Sequence, residues 1–413
     1  MNEIRDLLIG VDFGKKNTQI CYYDRKAGEP RSLSWKTSEG SYEIPTALMH
    51  RKEQGDYVTV TAAEAGEATS SLVDDIYGIS GKNESVTTEG DTKESWEITA
   101  CFFKGILRYL GLIDVVRSTK VIAVTAEELT PCRVTNIKKA FEELGFSSGT
   151  LLLLDHHESF YYYVMTQGRE LPGRSAAWYR FDGDYVEFRK LSINNGAKPI
   201  TVKLLEPVNT VLPEKAEERD EAFSIFIQKT LGQEMFSSIQ ITGNGFDQAW
   251  AKRSIRILCF GKRKVFFGNN LYARGACAAA KERAEDHRLK NFRFISSSLI
   301  GTDVGMEMRV MGSKAYYPMI RSGSSWYECG CTCEFLLDGN DELIFEVTRP
   351  PETEKKKVSM KLPGLPSRPP KTTRLQLDMS YISEEKCRIT VKDLGFGEMF
   401  PSSGQTWTET VEW

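Results

Sequence analysis

The chain has no apolar run approaching the roughly 20 residues needed to cross a bilayer. Its first residues include Glu3, Arg5 and Asp6, where a secretory leader needs a basic start and a longer apolar core. No membrane partner is expected, and the expected compartment is the cytoplasm. An excess of either charge is also missing, with 54 Lys and Arg against 57 Asp and Glu. Without a broad positive surface to neutralise phosphates, nucleic acid is not an expected partner. Histidine is scarce at four residues, and the nine cysteines are odd in number and scattered, which is the usage of reduced thiols. Cys329, Cys331 and Cys333 stand apart. Alternate spacing on a strand puts them on one face with Tyr327 and Phe335, to fill a core or bind a soft metal. No fourth ligand stands at a metal-site spacing, so the core is the expected use.

What is present reads as two or three domains, since 413 residues divide at about 150 per domain. Leu7 to Phe13 is an apolar run, Gly10-Val11-Asp12-Phe13-Gly14 sets one carboxylate between two glycines, and Asn17 to Tyr23 is β-rich. This is the pattern of a hairpin whose bend can approach a phosphate. Strands are expected near 44–49 and 57–60 and a helix at 62–70, while the polar segment 80–94 reads as an exposed loop. Ile98, Phe102, Phe103, Ile106, Leu107 and Leu110 recur at helical spacing and Gly111 closes that helix. Next, Val121 to Val124 reads as a buried strand, Thr130 to Leu144 as a helix with Pro131 in its first turn, and Leu151 to Leu154 as a second buried strand. This parallel α/β unit delivers Asp155-His156-His157-Glu158 as a loop at a strand's carboxyl end, where open α/β sheets place ligands.

A second hairpin spans Ala176 to Phe181 and Tyr185 to Ile193 around Asp182-Gly183-Asp184. After a helix through Phe223 to Leu231, Ile239-Gln240-Ile241 enters Thr242-Gly243-Asn244-Gly245, a passage that lets backbone lie against a flat ligand. A helix of small residues, Ala273 to Ala280, follows. From Phe292 the pattern turns to β alternation, in the sets Val304/Met306/Met308, Leu375/Leu377/Met379 and Cys387/Ile389/Val391, interrupted by the proline-rich Lys361 to Pro370. An antiparallel domain is expected there.

Two phosphate-type hairpins, an α/β unit with a glutamate in its last loop, and a glycine turn before a small-residue helix come in the order of the actin, Hsp70 and sugar-kinase superfamily. The chain resembles Hsp70 in particular. Ser298 to Gly305 is similar to the entry of the Hsp70 peptide-binding sandwich, and Leu362-Pro363-Gly364-Leu365-Pro366, Leu375 to Asp378 and Cys387 to Gly395 are similar to its last strands. The resemblance implies an α/β + β architecture. A two-lobed actin/Hsp70-like (ribonuclease H-like) domain would occupy 1–291, with lobe I near 1–170 and a reduced lobe II near 171–291, and an antiparallel β-sandwich would occupy 292–413.

The implied cofactor is ATP or ADP with Mg. Asp12 resembles the metal-side carboxylate, with Glu158 and Glu187 as further, vestigial acids of the catalytic set. The implied phosphate-turn contacts are Gly10, Asp12, Gly14, Lys15, Lys16, Asn17 and Gly183, with Gly243, Asn244, Gly245 and Gly275 toward the nucleoside. The departures decide the functional reading. Lys15 and Lys16 stand where the family has threonines, and Arg180 replaces the second-turn carboxylate. No lysine lies in 74–79, where the catalytic one belongs. The sequence as read, closing at Trp413, carries no helical lid.

The expectation is a divergent Hsp70-like pseudo-ATPase that serves as a protein- or peptide-binding scaffold. The alternative is a slow ATPase or chaperone that still binds ATP-Mg.

Overall fold

The computed structural model describes residues 6–34, 42–61, 71–167, 175–196, 198–260, 263–339, 341–350, 352 and 354–413. The helix expected at 62–70 lies outside them. The chain is mixed α/β and divides into two compact units, Met1–Phe294 and Ile295–Trp413.

In the first unit, β1 (Leu7–Phe13), β2 (Asn17–Asp24), β3 (Glu29–Ser32), β4 (Thr119–Ala126) and β5 (Leu151–Asp155) lie in the order β5-β4-β1-β2-β3. β1 runs antiparallel to β2 and parallel to β4. Six of the seven β1 residues are buried, as a strand covered on both faces requires. Helices α1 (Ser95–Leu107) and α2 (Pro131–Glu143) pack on this sheet's side of the unit, and α3 (His156–Thr166) leaves the end of β5. Thr130 caps α2 by accepting from Arg133 N at 3.2 Å, with Pro131 at the position where a missing N–H costs nothing.

A second sheet repeats the plan. β6 (Ala176–Asp182), β7 (Tyr185–Asn194), β8 (Ile200–Leu204), β9 (Ser238–Asn244) and β10 (Lys264–Phe267) take the order β10-β9-β6-β7-β8, with the same pattern of parallel and antiparallel neighbours. Its helices are α4 (Ala216–Leu231) and α5 (Lys252–Leu258), whereas α6 (Leu271–Lys281) returns to the first sheet, where Ala276, Ala279 and Ala280 pack on Leu8, Val121, Ala123 and Leu154. The core of the second sheet gathers Tyr179, Phe181, Phe188, Phe223 and Ile227, and ring contacts such as Phe181 to Phe223 at 5.1 Å lock α4 onto the sheet.

Two expectations change. Segment 80–94 is a hairpin, Ser85–Thr88 with Asp91–Glu94, turned by Glu89 and Gly90 at positive φ. Its alternation of small β-formers and charges is that of an exposed ribbon, which composition alone reads as loop. The Asp155-to-Glu158 segment is the end of β5 and the first turn of α3, because Asp155 and Glu158 form a reciprocal capping box.

The second unit holds two antiparallel four-stranded sheets. With β11 (Asp303–Val310), β12 (Ser313–Ile320), β13 (Gly330–Leu337), β14 (Glu342–Thr348), β15 (Lys356–Lys361), β16 (Thr373–Tyr381), β17 (Lys386–Asp393) and β18 (Thr406–Glu412), the orders are β12-β11-β14-β15 and β13-β16-β17-β18. Leu375, Leu377, Met379, Cys387, Ile389 and Val391 are buried as the alternation requires. Cys331 and Cys333 are only half-buried on β13, and burial raises both thiols, that of Cys333 to about 11. The three cysteines therefore border the core rather than fill it. Arg368 donates to both oxygens of the fully buried Asp393, at 2.9 and 2.8 Å, and fastens the proline-rich connection to β17. Among the described residues no helix is long and apolar enough to cross a membrane, and no sheet closes into a barrel.

Candidate functional site

The two sheets of the first unit present equivalent strand ends. Asp12 on β1 sits opposite Gln19 on β2 and Thr125 on β4, while Arg180 on β6 sits opposite Glu187 on β7 and Thr242 on β9. A phenylalanine follows each, Phe13 and Phe181, and both are buried. The repeated frame thus carries a carboxylate on one side and a guanidinium on the other.

Asp12 is buried, and its Oδ1 lies 2.9 Å from His156 Nε2. His156 opens α3, and its ring stacks flat on Tyr272, in the first turn of α6, with centroids 3.7 Å apart and planes at 4°. Tyr272 in turn meets Trp178 edge-on at 5.8 Å, and Trp178 Nε1 donates to Thr242 at 2.9 Å. Burial pushes the Tyr272 phenol up and the neighbouring His157 imidazole down. The carboxylate that resembles a metal ligand is thus engaged by an imidazole backed by packed rings.

A chain of ion pairs links the sheets beside this stack. Lys15, in the β1–β2 turn, pairs with Glu127 at 2.6 Å, and Glu127 also takes Arg180 at 3.1 Å. Arg180 reaches Glu187 at 3.4 Å, which Arg189 holds at 2.6 Å. Burial alone would raise the Glu127 carboxyl, yet the hydrogen bonds from Lys15 and Arg180 outweigh it and bring it down to about 2. Its bond to Glu127 raises the Lys15 ammonium. Every cation in this chain already has its carboxylate.

The glycines serve backbone packing. A Cβ at Gly10 would lie 2.2 Å from Ala273 O and 2.3 Å from Cys277 N, so β1 runs directly against α6. At Gly275 it would meet Ser159 O at 2.0 Å, where α6 crosses α3. A Cβ at Gly14 would lie 2.3 Å from Asn17 O inside its own turn. Gly243 and Gly245, at φ of 91° and 115°, would place a Cβ 1.9 Å from Phe181 O and 2.1 Å from Gly183 O. Gly183 N donates to Asn244 O at 2.8 Å. These turns pack on each other, and Arg219 joins them by donating to Gly183 O at 2.5 Å.

Of the remaining expected residues, Glu158 accepts from Asp155 N at 3.2 Å and works as a helix cap. Glu187 belongs to the ion-pair chain. Lys16 is exposed and its backbone carbonyl accepts from Thr46 N at 2.9 Å, while Asn17 Nδ2 donates to Glu43 at 3.1 Å. The structure thus brings Asp12, Lys15 and Glu187 to neighbouring strand ends and gives Gly10, Gly275 and Glu158 structural places. Glu127, Arg189 and Tyr272 escaped the sequence reading. Glu127 had one available signal, its place directly after a parallel strand, where ligand-facing residues concentrate.

The fold is a mixed α/β unit with duplicated sheet order, joined in sequence to an all-antiparallel unit. Residues 29–297 match the model described as the C-terminal part of a family of unknown function (DUF5716), and the chain belongs to that family. Residues 299–413 match a domain of unknown function (DUF8552). No curated protein matches the chain.

Proposed function

We propose that this is a divergent Hsp70-like protein, a pseudo-ATPase of the cytoplasm whose two-lobed actin/Hsp70-type unit and β-sandwich bind a protein or peptide as a scaffold. The common strand order of the two sheets supports the two-lobed reading, and the paired antiparallel sheets of the second unit support the sandwich. The observation that carries the functional reading is the ion-pair chain from Lys15 through Glu127 and Arg180 to Glu187 and Arg189.

Of the cations at these turns, Lys15 and Arg180 are committed to carboxylates of the same chain while Lys16 stands exposed, and Asp12 is committed to His156. Magnesium-triphosphate does not fit this set. Binding it means separating at least two charge pairs and placing phosphate oxygens beside Glu127 and Glu187, a like-charge contact that costs several kcal/mol in a partly dry site. Phosphoryl transfer relies on positioned cations and metal, so no hydrolytic step is assigned.

Thermal unfolding with and without millimolar ATP and magnesium tests the proposal, since a ligand specific to the folded state raises the midpoint. No shift and no phosphate release are expected. A shift that Asp12→Asn abolishes would establish the alternative, a slow ATPase that binds ATP-Mg. Fluorescence anisotropy with unfolded polypeptides reads the scaffold function separately.

A further inference from the structure

Away from Asp12 lies a partly open cavity of about 560 Å³, walled by the β2–β3 hairpin, the last turn of α3, β10, α6 and the residues just after it. Its volume falls within the roughly 300–1,000 Å³ that small-molecule sites occupy. Tyr23, Tyr163, Pro30 and Phe266 supply flat and apolar wall, and Arg274, Lys281 and Arg288 supply positive charge against Glu29 and Asp286.

The three cations are not equally occupied. Lys281 is held by Asp286 at 2.8 Å, and Arg288 Nε lies 3.9 Å from the same carboxylate. Arg274 has only a 3.5 Å approach to Glu29, whose side chain is 64% exposed and free to swing away. Arg274 Nε is buried and makes no hydrogen bond among the described residues, while the guanidinium carbon lies 6.0 Å from the Tyr163 ring centroid. The 28% of the Arg274 side chain that stays exposed lies on the rest of the group, so its terminal N–H groups, opposed only by the movable Glu29 carboxylate, are set to take a two-oxygen anion in this recess.

We propose that this cavity binds a small organic anion with a flat apolar body, its carboxylate or phosphate on Arg274 and its body between Tyr23 and Tyr163. The site shares no residue with the Asp12 contact or the ion-pair chain. Lys281 lies 4.8 Å from the Tyr23 ring centroid, so the anion enters a wall already polarised by cations.

The test uses the full chain and the dye 1-anilinonaphthalene-8-sulfonate, a flat apolar anion, read by fluorescence enhancement. Benzoate and phenyl phosphate should displace the dye, and whichever competes better identifies the head group. Neutral benzamide should compete at least about tenfold less well, because it lacks the charge that Arg274 pairs with. Arg274→Gln should weaken dye binding by a similar factor. Equal competition by benzamide, dye bound equally by Arg274→Gln, or no binding would overturn the proposal. The benzamide comparison needs no variant, so it decides the matter even where Arg274→Gln fails to fold.

Discussion

β1 and β6 hold the same place in two sheets of the same order, yet they meet their covering helices in opposite ways. Under α6, β1 offers Gly10, which lets backbone approach backbone. Two residues before Arg180, as Gly10 is two before Asp12, β6 offers Trp178, whose indole stacks on Phe160 of α3 at 5.0 Å. At the strand ends the contrast is electrostatic, with Asp12 on one side and Arg180 on the other. The duplicated frame tolerates such divergence because strand order is fixed by backbone hydrogen bonds and buried alternation, whereas the strand ends are constrained only by what they touch.

The comparison can be broken at several points. Trp178→Ala should cost the most, about 3–5 kcal/mol, because it removes a buried indole along with its contacts to Phe160, His157 and Tyr272. Urea unfolding measures it, and a loss under 1 kcal/mol would show that the α3 side is loosely packed. Gly10→Ala should follow at roughly 3 kcal/mol, since its new methyl meets helix backbone rather than a movable side chain. If that variant is as stable as the parent, α6 slides freely over β1.

Arg180→Met should cost about 1–3 kcal/mol, less than a fully buried pair would, because Glu127 keeps Lys15 and Glu187 keeps Arg189. The smallest effect concerns pH. The folded Glu127 carboxyl is held at about 2, below its ordinary 4.5, so its stabilising contribution is full above 4.5 and is lost as pH falls toward 2. Its side chain is 39% exposed, so solvent screening leaves a modest effect. The stability difference between the parent and Glu127→Gln should shrink across that window, and a constant difference would remove the charge pairing from the account.

Much of this frame was legible in the residues. Both hairpins, the parallel unit from Val121 to Leu154 and the alternating sets of the second unit follow from periodicity and turn chemistry, which act locally. Asp12 was legible because a carboxylate between glycines at a strand end is a local pattern. Its partner was not, because His156 lies 144 positions away and is delivered by the order of β5 beside β4 and β1. The surroundings of the glycines were not legible for a related reason. Gly243 and Gly245 have the conformations expected of a ligand turn, but sequence does not say whether the space beside them belongs to a ligand or to Phe181 and Gly183.

Apart from the His156 imidazole, the groups joined in the ion-pair chain and the Asp12 contact are three carboxylates, Asp12, Glu127 and Glu187, and three cations, Lys15, Arg180 and Arg189. Their formal charges cancel. Such a cluster projects little net field into solution, so a polyanion diffusing past is neither drawn in nor repelled by it, and its encounter rate should respond weakly to ionic strength.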